Sequence, residues 1–286
     1  MDISQLNMFC TVAECGSISQ AAARLHRVPS NLSTRIKQLE QELDCELFIR
    51  EKLRLRLSAD GHLFWQYASQ ILAKLEEAKS VLSGGEPRGR FALGALESTA
   101  AVRIPPLLAR YHQLYDQVAL EFTTGPSDDL TAALLAGKLD AIFIDGPIDT
   151  DVLTGMAVWQ EEMVLVAAGD HPPVRRARDV AGAPLYAFRR TCAYRRRFEQ
   201  WFQDDGATPG RIYEMESYHG MLACVSAGAG LALAPRSLLD HLPGAKTISI
   251  WPISPTLRNV PTWLVWRKEA RSVNLTALRQ LLVGQQ

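Results

Sequence analysis

The sequence lacks several features that would place it in a specialised class of protein. Its 286 residues include only five cysteines, none of them in a CxxC spacing, so neither a disulfide framework nor a zinc site is predicted. No apolar run approaches the roughly 18 residues that a membrane span needs. No charge of one sign dominates, because 31 Lys and Arg residues balance 31 Asp and Glu residues. This balance excludes a protein that is basic throughout, but it leaves room for a local basic face.

The composition is that of a globular protein, with 47% hydrophobic residues. At about 100–150 residues per domain, the length predicts two domains or more. The first ten residues, MDISQLNMFC, lack the basic and apolar regions of a secretory signal. We therefore expect a cytoplasmic protein whose thiols are reduced.

The pattern of the sequence changes once along the chain. Residues 1–58 and 59–83 follow helical spacing of apolar positions, whereas residues 84–90 are rich in Gly and Pro and predict a hinge. From residue 91 to residue 286, short apolar runs alternate with helical segments. This alternation predicts an α/β domain with a largely parallel sheet.

Two short helices joined by a tight turn are predicted near the N-terminus. Gly16 is placed to end the helix before them, and Ser17 and Gln20 match a capping box that opens the first of the two. Pro29 suits the first position of the second helix. The apolar positions of that second helix keep helical spacing at Leu32, Ile36, Leu39 and Leu43. The pair forms a helix-turn-helix.

The second of these helices is expected to expose small polar and basic side chains, which suit base edges and phosphates in a major groove. The segment 47–58 alternates apolar and basic residues and predicts a hairpin wing beside it. An ordinary solvated helical face is the alternative interpretation of the same residues. The residues expected to contact DNA are Ser17, Gln20, Arg27, Pro29, Ser30, Asn31, Ser33, Thr34, Arg35, Lys37, Arg50, Arg54 and Arg56.

Residues 59–83 predict one long helix with an apolar seam. About 24 residues at a rise of 1.5 Å span roughly 36 Å, too long for the helix to bury its own seam. Pairing with a second copy is the simplest solution, and a twofold dimer matches a palindromic DNA site.

The run from Phe9 to Arg50, FCTVAECGSISQAAARLHRVPSNLSTRIKQLEQELDCELFIR, closely resembles the DNA-binding signature of the LysR-type transcriptional regulators. The resemblance extends over essentially the whole chain. It implies a winged helix-turn-helix, a dimerising linker helix and a two-lobed effector-binding domain similar to type 2 periplasmic binding proteins. It also implies a homodimer or homotetramer that binds double-stranded promoter DNA, acts with RNA polymerase and has no membrane partner. Lobe I would comprise about residues 91–158 and 253–286, and lobe II about residues 159–252.

Segments 93–105, 186–202 and 214–235 resemble, more narrowly, a putrescine-utilisation regulator of that family. Three positions depart from the family pattern. Val28 stands where a Ser or Thr cap is usual, Thr34 and Arg35 stand where Arg more often comes first, and Asp44 replaces a Gly suited to left-handed backbone.

Polar clusters that follow predicted strands indicate where a ligand would bind, because ligands of open α/β sheets lie at the carboxyl ends of the strands. Arg189 and Arg195 suit a carboxylate, whereas Glu97, Asp145 and Glu216 suit an amine, and the sequence leaves both open. The expected effector-binding residues are Glu97, Ser98, Thr99, Thr123, Thr124, Gly125, Pro126, Asp145, Gly146, Arg189, Cys192, Tyr194, Arg195, Tyr218 and His219. The ligand would favour one closure of the two lobes and so change the spacing of the DNA-binding heads.

Two other classes of function remain open at this point. Cations beside Cys192 suggest a redox-sensing regulator, since nearby positive charge favours the thiolate. A solute-binding protein or an enzyme on the same fold would leave residues 1–82 without a role, and the sequence has no GxGxxG, GxxxxGK[ST], HExxH or GxSxG motif. No catalytic residue, metal or cofactor is expected.

Overall fold

The computed structural model describes residues 1–51, 54–82, 85–146, 151–241 and 247–284. These residues form two compact units. The first comprises Met1–Glu86 and Ala136–Lys138, and the second comprises Pro87–Leu135 and Leu139–Gln286. Within the described part of the chain, no helix combines the length and the apolar character that crossing a membrane requires.

The first unit is helical with one small hairpin. Its elements are α1 (Ile3–Cys15), α2 (Ile18–Arg24), α3 (Pro29–Leu43), β1 (Phe48–Glu51), β2 (Arg54–Leu57) and α4 (Ala59–Leu82). Phe9 is fully buried at the centre of this unit, with its ring 5.3 Å from Phe48 and 5.0 Å from Phe64. The wing strands β1 and β2 pair antiparallel, with Phe48 opposite Leu57. The predicted winged helix-turn-helix is therefore the observed fold of this unit.

Local chemistry sets the ends of these helices. Gly16 ends α1 in the left-handed conformation (φ 62°), as predicted, and Asp44 ends α3 in the same region (φ 51°). Val28 precedes α3 with no side-chain cap, so the hydrogen bond that Ser or Thr would supply is missing. The Ser17 side chain accepts from the Gln20 amide, but the described hydrogen bonds include no return from the Gln20 side chain.

The second unit is an α/β structure whose last element is a helix. Its strands are β3 (Gly89–Ala95), β4 (Val118–Thr124), β5 (Ala141–Asp145), β6 (Leu153–Ala168), β7 (Leu185–Ala187), β8 (Ile212–Glu214), β9 (Leu231–Pro235), β10 (Ile248–Pro252) and β11 (Asn259–Arg267). Its helices are α5 (Glu97–Val102), α6 (Ile104–Leu114), α7 (Ser127–Leu135), α8 (Ala193–Asp204), α9 (Tyr218–Ser226), α10 (Arg236–Leu239), α11 (Pro255–Arg258) and α12 (Val273–Val283), with a 3-10 turn at Ala177–Val180.

The strands form one sheet in the order β4-β3-β5-β11-β6-β9-β7-β8, with β10 on β6. The long strand β6 serves both halves: residues up to Glu162 pair with β11, and residues from Met163 onward pair with β9. These two halves are the lobes of the unit.

The expectation of a largely parallel sheet is wrong at its centre. Among the described strands, parallel pairs occur on either side of the centre, where β3 lies between β4 and β5 and where β7 lies between β8 and β9. The strands that connect the lobes, β6 and β11, pair antiparallel. Apolar spacing does not reveal strand direction, so the sequence alone could not distinguish the two arrangements.

Candidate functional site

Helix α3 buries one face and exposes the other. Leu32, Ile36 and Leu39 are at most 5% exposed, and they fix which side chains face outward. The exposed side chains at the start of the helix are Pro29, Ser30, Asn31 and Thr34, followed by Lys37. This polar and basic surface, which we call the α3 face, consists of groups that can donate to or accept from base edges and pair with phosphates.

Two residues on the α3 face were missed from the sequence. Gln38 lies four positions after Thr34 and Gln41 lies three positions further on, and both are exposed. Helical spacing alone places Gln38 one turn and Gln41 about two turns from Thr34 on the same face, so the signal was available. Their amides extend the hydrogen-bonding surface along the helix.

Arg35 is less available than the sequence suggested. Its side chain is half-buried and forms an ion pair with Asp2, the residue that caps α1. Thr34 is exposed, and its hydroxyl donates to the Ser30 carbonyl oxygen (2.9 Å). In this arrangement Thr34 and Lys37 lie on the open surface, while Arg35 links α3 to α1. Ser33 is half-buried.

The other predicted DNA contacts flank the α3 face. Gln20 and Arg27 are exposed, and Ser17 is half-buried at the start of α2. Arg56 is exposed on the wing. Arg50 and Arg54 belong to the wing strands, but their side chains lie outside the described part of the structure.

The second unit contains a cavity of about 420 Å³. Both lobes contribute to its lining, because α5 and α7 follow strands of lobe I, and α8 and α9 follow segments of lobe II. The lining residues are Leu96, Glu97, Ser98, Thr123, Thr124, Gly125, Pro126, Asp129, Leu130, Ala133, Phe188, Arg189, Cys192, Tyr194, Glu216 and Tyr218. A volume of this size accommodates a small metabolite.

Most of the predicted effector residues line this cavity, and five do not. The residues that the structure brings together are Glu97, Ser98, Thr123, Thr124, Gly125, Pro126, Arg189, Cys192, Tyr194 and Tyr218. Those outside the lining are Thr99, Asp145, Gly146, Arg195 and His219. Sequence position at a strand end did not specify which way each side chain faces.

Four of these five exceptions are packed elsewhere, and the fifth is exposed. Asp145 is buried and accepts a hydrogen bond from the Ser127 hydroxyl (2.7 Å), so it holds the start of α7. Arg195 is 4% exposed and pairs with Glu199 (2.9 Å) and Glu214 (2.6 Å) within lobe II. A side chain at Gly146 would begin 2.8 Å from Trp263. The remaining two are Thr99, which is buried in α5, and His219, which is exposed on α9.

Asp129 was missed as a cavity residue, and Glu216 was considered only as part of an amine site. Both contact Arg189: its Nε lies 3.0 Å from Glu216 Oε1, and its Nη1 lies 3.4 Å from Asp129 Oδ2. Asp129 belongs to α7 of lobe I, so this guanidinium joins residues of the two lobes within the cavity lining. The two carboxylates raise the pKa of Arg189, and it stays charged.

Three polar atoms of lining residues are shielded from solvent without a hydrogen-bond partner among the described residues. They are Glu97 Oε2 and the hydroxyl oxygens of Tyr194 and Tyr218. Burial raises the pKa of Glu97 above its usual range, because ionisation is costly away from water. Both tyrosines are at least nine-tenths buried. Partnerless polar atoms at a cavity wall are groups that a ligand can satisfy.

Cys192 lines the cavity but lacks the features of a reactive thiol. It is 8% exposed, and burial raises the pKa of its thiol, which disfavours the thiolate. Cys224 is also free. The alternative of a redox sensor at Cys192 therefore gains no support from this geometry.

Both units match models of known protein families. A model described as the bacterial regulatory helix-turn-helix protein of the lysR family matches residues 3–62. A model described as the LysR substrate binding domain matches residues 84–286. The HTH-type transcriptional regulator GltR of Bacillus subtilis (strain 168) is 36% identical over 285 residues, which cover 98% of this chain and 96% of GltR. The HTH-type transcriptional regulator CzcR of Bacillus thuringiensis is 33% identical, with 96% of this chain and 94% of CzcR covered.

Solved structures share the fold at lower identity. A full-length OxyR variant from Pseudomonas aeruginosa aligns with a TM-score of 0.78 at 22% identity and covers 99% of this chain and 94% of its own. Full-length CbnR, solved in complex with its target DNA, aligns with a TM-score of 0.71 at 22% identity over the whole of both chains. The helix-turn-helix, the two-lobed unit and these matches together show that the chain belongs to the LysR family and is a DNA-binding transcriptional regulator with an effector-binding domain.

Proposed function

We propose that this regulator reads promoter DNA with the α3 face and is controlled by a small polar metabolite bound in the cavity between its two lobes. The observation that carries the second part is a cavity of about 420 Å³ whose wall holds three partnerless polar atoms. The DNA contacts are proposed for the predicted residues together with Gln38 and Gln41. CbnR, which shares the fold, was solved bound to its target DNA, and this supports the proposed use of the first unit.

A second copy of the chain is part of the proposal. Leu63, Tyr67 and Ile71 recur every fourth residue on α4, and each is more than 40% exposed. Such an apolar stripe needs a partner, and a matching stripe on a second copy places two α3 faces on one duplex. Dimers and tetramers both satisfy this requirement.

Ligand binding would act by shifting the population of lobe arrangements. The cavity wall belongs to both lobes, so a bound molecule stabilises the arrangement that fits it. The resulting change in the spacing of DNA-binding heads would alter contact with the promoter and with RNA polymerase. The proposed site of action is the cytoplasm, where the DNA is, and the proposed role involves no catalysis.

The salt dependence of promoter binding tests the DNA part. The affinity of the full-length protein for a labelled promoter fragment should fall steeply as salt rises, since each phosphate contact adds about 0.9 to the slope of log K against log salt. Lys37→Ala should reduce that slope by about one such contact. Lys268→Ala, at an exposed position of the second unit, is the matched control and should leave the slope unchanged. An unchanged slope for Lys37→Ala would remove Lys37 from the proposed interface.

The ligand part is tested by a variant of the cavity. Ser98 is buried and lines the cavity, whereas its neighbour Thr99 is buried outside it. Ser98→Ala should weaken the response of promoter affinity to the metabolite more than Thr99→Ser, the matched control, while DNA binding without metabolite persists. Equal responses in the two variants would argue against this cavity as the control site.

A further inference from the structure

The cavity lining carries more negative than positive charge. Among the described residues that form it, Glu97, Asp129 and Glu216 are acidic and Arg189 alone is basic. A ligand that enters this cavity therefore meets an excess of carboxylates. Charge alone does not define a site, and the next two features show how the carboxylates differ.

Arg189 is already occupied by protein carboxylates. Its Nε and Nη2 lie 3.0 and 3.3 Å from the two oxygens of Glu216, a bidentate arrangement, and its Nη1 lies 3.4 Å from Asp129. A ligand carboxylate would have to displace one of these partners to reach the guanidinium. The positive charge of Arg189 is thus balanced within the protein by Asp129 and Glu216, and the three groups together keep one excess negative charge.

Glu97 is different, because its Oε2 is shielded from solvent and has no partner among the described residues. The hydroxyl oxygen of Tyr218, another residue of the wall, is also partnerless, and that of Tyr194 has the Ser98 side chain nearby without a well-formed hydrogen bond. A carboxylate oxygen and two hydroxyl oxygens can all accept hydrogen bonds, and an ammonium group has three donors and no acceptor. A carboxylate ligand could accept from the hydroxyls, but it would meet the like charge of Glu97.

The remaining wall suits the rest of such a molecule. Phe188 packs edge-on against Tyr218 with ring centroids 4.9 Å apart, and both rings belong to the cavity lining, where aromatic surface can attract a cation. Leu96, Leu130 and Ala133 supply apolar surface. A short aliphatic or aromatic skeleton fits beside a cationic end.

We propose that the ligand of this cavity carries a primary ammonium group, and that the Glu97 carboxylate binds that group with help from the hydroxyls of Tyr194 and Tyr218. The inference rests on the proposed function, in which this cavity holds the controlling metabolite. It specifies the chemical class of that metabolite as an amine and assigns Arg189 to the protein's own ion pairs rather than to a ligand carboxylate.

A thermal-shift screen of the full-length protein tests this inference. The probes are three panels with matched carbon skeletons at millimolar concentration: primary amines, carboxylates and alcohols. Ligand that binds only the folded state raises the melting temperature. We expect stabilisation by members of the amine panel and none by the corresponding carboxylates.

Two variants locate the amine. Glu97→Gln should weaken binding of a stabilising amine by about tenfold to a hundredfold, since a charged hydrogen bond is lost. Glu121→Gln is the matched control: this exposed carboxylate pairs with Arg90 (2.8 Å), lies outside the cavity and should leave amine affinity unchanged. Tyr218→Phe, which removes only a hydroxyl, is the second test and should also weaken the amine if Glu97→Gln does not fold.

The possible outcomes distinguish a failure of the ammonium assignment from a failure of the proposed metabolite site. Stabilisation by carboxylates or alcohols but not by amines would overturn the ammonium assignment and leave a ligand-controlled cavity intact. Equal amine affinity in the wild type and in Glu97→Gln would overturn the role of Glu97. Silence of all three panels would count against both the ammonium assignment and the cavity as a metabolite site.

Discussion

The α3 face and the cavity differ in how their residues are assembled. The α3 face takes its side chains from one helix, Pro29–Leu43, and presents them to solvent. The cavity takes its wall from separate segments between Leu96 and Tyr218 and shields several polar atoms from solvent. The α3 face is formed by residues close in sequence and is open to solvent. The cavity is formed by segments that the fold brings together, and it is enclosed. The difference predicts that single substitutions affect the two sites through different physical terms.

The largest expected effect separates the two units by their stability. A Cβ at Gly61, near the start of α4, would lie 2.0 Å from the backbone oxygen of Leu47. Gly61→Ala should therefore destabilise the first unit by about 3 kcal/mol or more, because backbone must move. Urea unfolding followed by circular dichroism measures the change, and promoter binding should weaken with it.

Gly284→Ala is the matched control, since a Cβ there makes ordinary contact at 3.6 Å and φ is −76°. Its stability should stay close to that of the wild type. If Gly61→Ala also kept the stability and promoter affinity of the wild type, the close packing of α4 on Leu47 would be contradicted.

A smaller loss of stability is expected from a substitution at the start of α7. Ser127→Ala removes the hydroxyl that donates to the buried Asp145 carboxylate (2.7 Å), and it should cost about 2 kcal/mol. The loss should appear as a lower urea midpoint of the second unit. Ser254→Ala, in a half-buried loop serine without a buried carboxylate partner, should cost much less. Equal costs would mean that Asp145 does not depend on Ser127.

The pH dependence of stability should show that burial destabilises the ionised Glu97 carboxylate in the folded protein. Because burial raises the pKa of Glu97, its folded state binds a proton more tightly than its unfolded state. Stability from this group is present at low pH and is lost as pH rises from 4.5, the usual pKa of a glutamate, through the raised pKa of the folded protein. Glu97→Gln should therefore raise the melting temperature of the ligand-free protein at neutral pH, with the gain vanishing in acid.

Glu121→Gln again provides the comparison, and it should show no such gain. A lower melting temperature for Glu97→Gln than for the wild type at neutral pH, with the same difference in acid, would mean that the Glu97 carboxylate is not strained.

The smallest expected effect sharpens the description of the α3 face. Val28 precedes α3 with extended backbone (φ −81°, ψ 134°) and no cap, so Val28→Ser should stabilise the first unit by about 1 kcal/mol. Thermal unfolding measures the gain. Val152→Ser, at an exposed valine outside any helix, should bring none. A loss of stability in Val28→Ser would show that the valine side chain makes a contact worth more than the cap.

The predictions from the sequence divide in the same way, between contacts among adjacent residues and contacts between residues distant in sequence. Gly16, Asp44 and Val28 took the backbone roles expected of them, because caps and left-handed turns depend on adjacent residues. The ion pair of Arg35 with Asp2 could not be predicted from the sequence, since Asp2 is distant in sequence and caps another helix, and the contact of Arg35 with DNA stays a prediction. The narrower resemblance to a putrescine-utilisation regulator stays a prediction.

In the second unit, the sequence predicted well where the strands end, but it did not predict which way individual side chains point. Glu97 follows β3 and Asp145 ends β5, yet Glu97 lines the cavity and Asp145 accepts a hydrogen bond from Ser127 outside the lining. The helix-turn-helix could be predicted from the residues alone, since helical period and caps act between residues a few positions apart. The cavity could not, because it depends on the antiparallel pairing of β6 and β11, which brings the two lobes together. Burial within that fold then determines which carboxylate is left without a partner.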